Sequence, residues 1–230
     1  MLFALTGGIQ IGKTRWLQAV TESLAGEGVR CSGVLAPGIW RAADDPSASD
    51  AGQARAPCFE KLGICNVLLP KRESIAFAIR RDLADARLQA CTQAERAGLG
   101  WAISDEAIAR VNRHFADLRS RRFRPCGCSS LLIVDELGRM ELERGEGLSE
   151  AMALLKEGPT PAFPHALIVV RRDLADSARR QLEPAWGSFR TISPDREGES
   201  ALRQVLLADQ GRLSFPSCVA AMPRLDRGRM

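Results

Sequence analysis

Nowhere do the 230 residues run to 18 consecutive apolar positions, and this length excludes a transmembrane helix. The first residues also lack a basic n-region and lead at once into an apolar stretch read as a strand. No cleavable signal peptide is therefore expected. Histidine is scarce: His114 and His165 stand apart in the sequence, and neither has a neighbour that suggests catalysis. A strong charge of either sign is missing too. The formal net charge is +4, and arginine is spread along the chain with small clusters at 119–124 and 171–172. A solvated surface explains this as well as a nucleic-acid partner does, so none is expected. Seven cysteines is an odd number, which suits mostly free thiols in a reducing cytoplasm better than a disulfide framework. Cys58, Cys65, Cys126 and Cys128 could offer four thiolates to zinc. However, C-x-C together with C-x₆-C is not a usual structural-zinc spacing.

What the chain does have is a phosphate loop. Residues 7–14 read Gly7-Gly8-Ile9-Gln10-Ile11-Gly12-Lys13-Thr14, a complete G-x-x-x-x-G-K-[ST] pattern, with Arg15 following. It comes directly after Leu2-Phe3-Ala4-Leu5 and before an amphipathic stretch marked by Trp16, Leu17, Val20 and Leu24. That strand–loop–helix context is what the chemistry needs: backbone N–H groups and the helix N-terminus converge on an anion. Lys13 is expected to reach the β/γ-phosphate oxygens and Thr14 to bind Mg²⁺. Gln10 stands where the commonest loops carry another glycine.

Beyond the loop, apolar runs alternate with helical spacing, the pattern of a mostly parallel sheet with helices on both faces. Strands are expected near 2–6, 29–35, 61–69, 131–135, 166–170 and 189–192. Helices are expected over 13–25, 104–118, 146–157, 173–182 and 196–208. Ser104 is a natural N-cap, because Asp105 and Glu106 follow it and Ile108, Val111, Phe115 and Leu118 form an apolar stripe. From Trp40 to Pro57 the composition is Ala/Asp/Ser/Gly/Pro-rich, so 38–60 reads as a mobile loop insertion. The stretch 75–97 carries both helical and strand-like spacing. One domain over 1–208 and a C-terminal tail over 209–230 are expected.

The run Leu131-Leu132-Ile133-Val134 ends in Asp135-Glu136. Ligands of open α/β sheets bind at the carboxyl ends of strands, so this acidic pair belongs at the same edge as the phosphate loop. Asp135 is placed to hold Mg²⁺ through water, and Glu136 to orient and deprotonate an attacking water. Strand alternation is expected to send the two carboxylates different ways. Arg171 and Arg172 follow the run at 166–170 and are candidate phosphate sensors, with surface ion pairing as the competing role. Glu141 reads either as a second metal-shell acid or as a structural cap.

The stretch Leu132-Ile133-Val134-Asp135-Glu136-Leu137-Gly138-Arg139-Met140-Glu141-Leu142 resembles the D-E-[IL]-G-[KR]-M-E-L signature of the small cancer-related nucleoside-triphosphatase family. The resemblance spans roughly residues 1–208 and is weakest between 38 and 100. It implies a three-layer RecA-like fold of the additional-strand, catalytic-glutamate division of P-loop proteins. It also implies slow Mg²⁺-dependent hydrolysis of ATP, GTP and other nucleoside triphosphates to the diphosphate and phosphate. Lys13, Thr14, Asp135 and Glu136 would carry that chemistry. The family's Asn-Arg beside the base appears here as Asp195-Arg196, which keeps Arg196 as the nucleotide contact.

Two other functions share these features. A nucleotide or small-metabolite kinase would use an arginine-rich lid, for which Arg121, Arg122 and Arg124 are the candidates. An NTP-dependent switch would bind a protein partner or a second copy of itself through the 40–57 segment or the tail.

Overall fold

Every residue of strand β1 (Leu2–Leu5) is buried, and its side chains alternate between two separate cores. A strand apolar on both faces needs cover on both. In the computed structural model of the protein, which describes residues 1–8, 10–42, 59–83, 100–124 and 128–213, β1 is the fourth of five parallel strands. It lies between β8 (His165–Val170) and β9 (Phe189–Ile192). β8 pairs in turn with β7 (Ser130–Leu137), and β7 with β2 (Arg30–Leu35). The strand of the phosphate loop, β1, is thus separated by β8 from the strand of the acidic pair, β7. This is the additional-strand order that the resemblance implies.

Beyond β2 the sheet turns antiparallel through β4 (Phe59–Leu69), β5 (Glu73–Arg80) and β6 (Trp101–Ile103). β4 pairs with β2 only through Val67–Leu69, and its amino half pairs with β3 (Gly38–Ala42). Because β4 runs against β2, that amino half rises past the carboxyl edge of the parallel strands.

Helices α1 (Lys13–Gly26) and α5 (Arg196–Leu213) cover one face, where Leu17, Leu24, Leu202 and Leu206 meet Phe3, Leu5, Ile133 and Val169. Helices α2 (Asp105–Ser120), α3 (Ser149–Lys156) and α4 (Ala175–Trp186) cover the other. There Val111, Phe115, Leu155 and Leu182 meet Leu2, Ala4, Val134 and Ile168. The fold is a three-layer α/β sandwich of the P-loop type. Among the described residues no helix is long and apolar enough to cross a membrane.

Several elements differ from the sequence reading. Residues 38–42, expected in a loop, form β3, and 59–60 open β4. Trp40, Arg41 and Ala42 are exposed, so the strand has no alternating pattern to betray it. The rest of that segment, 43–58, lies outside the described residues. The ambiguous 75–97 stretch is strand to Arg80 and a short 3₁₀ turn over Arg81–Leu83, with 84–99 outside the description. α3 begins at Ser149, not 146, because Met140–Arg144 make a π-type turn first. α4 runs through Pro184 to Trp186, and α5 continues to Leu213, past the expected end at 208; 214–230 lie outside the description.

Candidate functional site

The carboxyl ends of the parallel strands deliver the site. After β1 the chain enters the phosphate loop, of which residues 7, 8 and 10–14 are described and Ile9 is not. Gly12 takes a left-handed conformation and closes the loop onto α1, accepting from the Trp16 N–H at 2.8 Å. No side chain caps α1, and no acid lies in its first turn, so its leading N–H groups stay open to an anion. The Lys13 ammonium folds back on the loop, donating to the carbonyls of Gly8 at 2.7 Å and Gly7 at 3.3 Å. Gln10 has φ 58, the left-handed region that glycine occupies at lower cost. Arg15 is exposed on the first turn of α1.

From β7, two strands away, Asp135 meets this loop. Its Oδ1 accepts from the Thr14 hydroxyl at 3.3 Å and its Oδ2 from the Ala36 N–H at 2.9 Å. Asp135 is 2 % exposed, and burial pushes its carboxyl up to about 6, with the adjacent Glu136 charge acting in the same direction. Glu136 is exposed, for a more specific reason than simple alternation. Asp135 opposes Val169 and Leu137 opposes Val170, so Glu136 is an extra residue in a bulge that turns it out of the sheet. A buried carboxylate paired with a partly exposed hydroxyl, beside an outward carboxylate, offers hard oxygen donors of the kind Mg²⁺ takes.

The loop after β8 brings the two candidate arginines to the phosphate loop. Gly7, Gly8, Arg171, Arg172 and Asp173 line one open cleft of about 480 Å³. Asp173 takes Arg171 at 3.2 Å and lies 3.9 Å from Arg139 of the signature, whereas Arg172 has no ion pair among the described residues. The loop after β9 adjoins as well, since the Thr6 N–H donates to Ile192 and the Trp16 indole to the Asp195 carbonyl. The Asp195 carboxylate accepts from the Gly198 N–H at 2.8 Å and so caps α5, leaving Arg196 exposed at the start of that helix.

Glu141 has a structural task. Its two oxygens accept from the N–H groups of Gly138 (2.9 Å) and Leu148 (3.0 Å), tying the signature turn to the start of α3. Burial raises its pKa. Gly147 is required there, since a Cβ would sit 2.1 Å from Glu141 Oε1. Asn112 on α2 adds a second tie, donating to Gly147 O and accepting from Glu150 N–H.

Three residues near the site have no sequence motif to announce them. Lys61, on the rising half of β4, holds its ammonium 5.4 Å from the centre of the Trp101 ring. Burial lowers its pKa, and the charges of Glu136 and Asp135 oppose that fall. Gly33 lies so close to β7 that a Cβ would stand 2.0 Å from Ile133 O. His114 is half-buried with Nε2 3.1 Å from Gly33 O, and burial lowers its pKa.

Other candidates fall elsewhere. His165 lies at the start of β8, beside the N-terminal amino group. Arg121, Arg122 and Arg124 follow α2 at the amino ends of the parallel strands, where Arg122 pairs with Glu157 and its carbonyl takes Ala162 N–H. A lid over the phosphate loop cannot be built from that position. Of the proposed zinc thiolates, Cys58 and Cys126 lie outside the described residues. Cys65 and Cys128 stand in no disulfide, and the described residues hold no metal-binding cluster.

No family model matches the sequence, and no curated protein does. Among solved structures, that of a human cancer-related nucleoside triphosphatase matches with a TM-score of 0.53 at 15% identity, covering 94% of this chain and 98% of that one. At this identity the likeness shows a shared fold: the chain has the architecture of a P-loop nucleoside triphosphatase.

Proposed function

We propose that the chain is a Mg²⁺-dependent nucleoside triphosphatase of the cancer-related type, cleaving ATP, GTP and related triphosphates to the diphosphate and phosphate in a reducing cytoplasm. The observation that carries this reading is the 3.3 Å contact between Thr14 Oγ1 and Asp135 Oδ1. It joins the phosphate-binding and acidic elements at one point although β8 separates their strands. Cys31 and Cys65, in no disulfide, fit the compartment, and burial pushes the Cys31 thiol up to about 12.

Lys13 would exchange its two carbonyl partners for β- and γ-phosphate oxygens, while the open N–H groups at the start of α1 wrap the β-phosphate. Thr14 and Asp135 would hold Mg²⁺, directly and through water; bound there, the ion neutralises charge on the phosphates. Glu136 accepts a proton from water as the water oxygen bonds to Pγ. The bond from Pγ to the β–γ bridging oxygen breaks, that oxygen leaves on the diphosphate, and Glu136 later returns its proton to solvent. Arg172, unpaired among the described residues in the cleft beside Gly7 and Gly8, is the better placed phosphate sensor; Arg171 must first leave Asp173. Arg196 would contact the nucleotide from the β9 side. With the basic turn at the opposite edge, the kinase reading loses its lid.

The test is Mg²⁺-dependent phosphate release from ATP, GTP, CTP and UTP. Glu136→Gln is expected to bind nucleotide normally while kcat drops roughly 10²–10⁴-fold, and Lys13→Ala to lose binding. Normal binding without phosphate release by the wild type would refute hydrolysis.

A further inference from the structure

Lys61 is a cation that the hydrolytic scheme above leaves unused. It sits on the part of β4 that overshoots β2, opposite Trp40 of β3. The short link from β2 to β3 passes directly by the acidic pair, because its Ala36 N–H holds Asp135 Oδ2 at 2.9 Å. Two residues further on, Gly38 leaves room for the Lys61 stem. A Cβ there would stand 2.8 Å from Lys61 Cε and 2.6 Å from Trp40 Nε1. The stem is thus seated against the start of β3, two residues from the Ala36 N–H that holds Asp135, and the ammonium lies over the Trp101 ring. Glu136 and Asp135 are the charges that act on it. Yet among the described residues it makes no ion pair and no hydrogen bond. A partly buried ammonium that feels the charge of two carboxylates but bonds neither has open donors for a third group.

We propose that Lys61 is a catalytic residue that donates from the antiparallel arm to the γ-phosphoryl oxygens, opposite Lys13, as negative charge spreads over them during water attack. The assignment rests on the hydrolase reading. The bond made and the bond broken are those already given; Lys61 keeps its protons and supplies charge. Held over an aromatic face in a partly desolvated site, it needs little reorganisation to act, which is where such electrostatic help is strongest. The γ-phosphoryl oxygens are already anionic in the bound triphosphate, so the contribution of Lys61 falls on kcat through a contact that tightens as their charge redistributes in the transition state.

The experiment compares wild type with Lys61→Met, which keeps the apolar stem, and Lys61→Arg, which keeps the charge. Phosphate release, triphosphate affinity and affinity for the diphosphate with aluminium fluoride, a mimic of the transferring phosphoryl group, are measured for each. Lys61→Met is expected to lose roughly 10²-fold or more in kcat and to lose the fluoride complex, with triphosphate Kd within about threefold. Lys61→Arg should recover most of both. Gly38→Ala, which displaces the Lys61 tip, should lower kcat in the same direction. Wild-type kcat in Lys61→Met overturns the proposal, as do equal losses in Lys61→Met and Lys61→Arg. In both cases the hydrolase reading survives. If the wild type itself binds triphosphate and releases no phosphate, both fall together.

Discussion

Replacing Asp135 by asparagine should make the metal-free protein more stable at neutral pH, although it removes a residue the proposed function needs. Folding buries this carboxylate and raises its pKa from 3.8 to about 6. A group bound more tightly by its proton in the folded state favours folding below its unfolded pKa and opposes it as pH rises through the folded value. The penalty therefore grows between pH 3.8 and about 6 and is constant above. At about 1.36 kcal/mol for each tenfold in proton affinity, the plateau is about 3 kcal/mol. The Thr14 and Ala36 contacts already temper the rise, and asparagine can retain an acceptor for one of them. Their altered geometry adds an offset that does not depend on pH.

The assay is urea unfolding of wild type and Asp135→Asn in EDTA at pH 4, 6 and 8, read as the difference between the two proteins so that other titrating groups cancel. The variant's relative stability should rise by about 2 kcal/mol from pH 4 to pH 6 and then level off. A difference that is flat from pH 4 to pH 8 would refute the reasoning, since the carboxylate would then be as well solvated folded as unfolded. Such a trade of stability for a charged ligand is expected where a site is built for a metal.

His114 carries the opposite sign. Burial holds its pKa below 6.5, so the stability it protects is present above that value and is lost as pH falls through the lower folded one. Wild type should lose stability faster than His114→Gln below pH 6.5 in a urea series, and parallel curves would contradict this. Gly33→Ala forces a Cβ to 2.0 Å from Ile133 O at φ 119 and should cost about 3 kcal/mol or prevent folding; a melting temperature within a degree or two of wild type would count against the packing described.

The legible parts of this protein were local in sequence. Residues 7–14 and the run ending in Asp135-Glu136 each carry their chemistry within a few positions, and the apolar strands on either side fix which sheet edge they share. Ser104 was legible as a cap for the same reason: its partner, the Ala107 N–H, is three residues away. β3 was not, because an exposed strand satisfied by pairing with β4 needs no apolar alternation. Lys61 was invisible because what singles it out is antiparallel pairing that raises β4 beside an acid pair far along the chain. The role of Glu141 was half legible. Its carboxylate could be read as metal-shell or cap until Gly138 and Leu148 were found on its two oxygens.

Three groups of the site are occupied with internal partners: Lys13 on loop carbonyls, Thr14 on Asp135, Asp135 on Ala36. In the proposed function nucleotide and metal would replace these contacts, and toward acid pH the metal would also have to displace a proton from Asp135. A proton and a divalent cation compete for that carboxylate, so Mg²⁺–nucleotide affinity should weaken as pH falls through about 6. One unit below that value, about ten in eleven molecules are protonated there, so Kd should rise about tenfold between pH 7 and pH 5. The nucleotide's own terminal phosphate also titrates in this range. The slope is therefore taken as the difference between calorimetric titrations of the diphosphate with Mg²⁺ and with EDTA. Asp135→Asn supplies the second control, since it has no proton to displace. Equal slopes with and without Mg²⁺ in the wild type would mean that Asp135 is not where the metal is held, and the convergence of Thr14 and Asp135 would then be a packing contact alone.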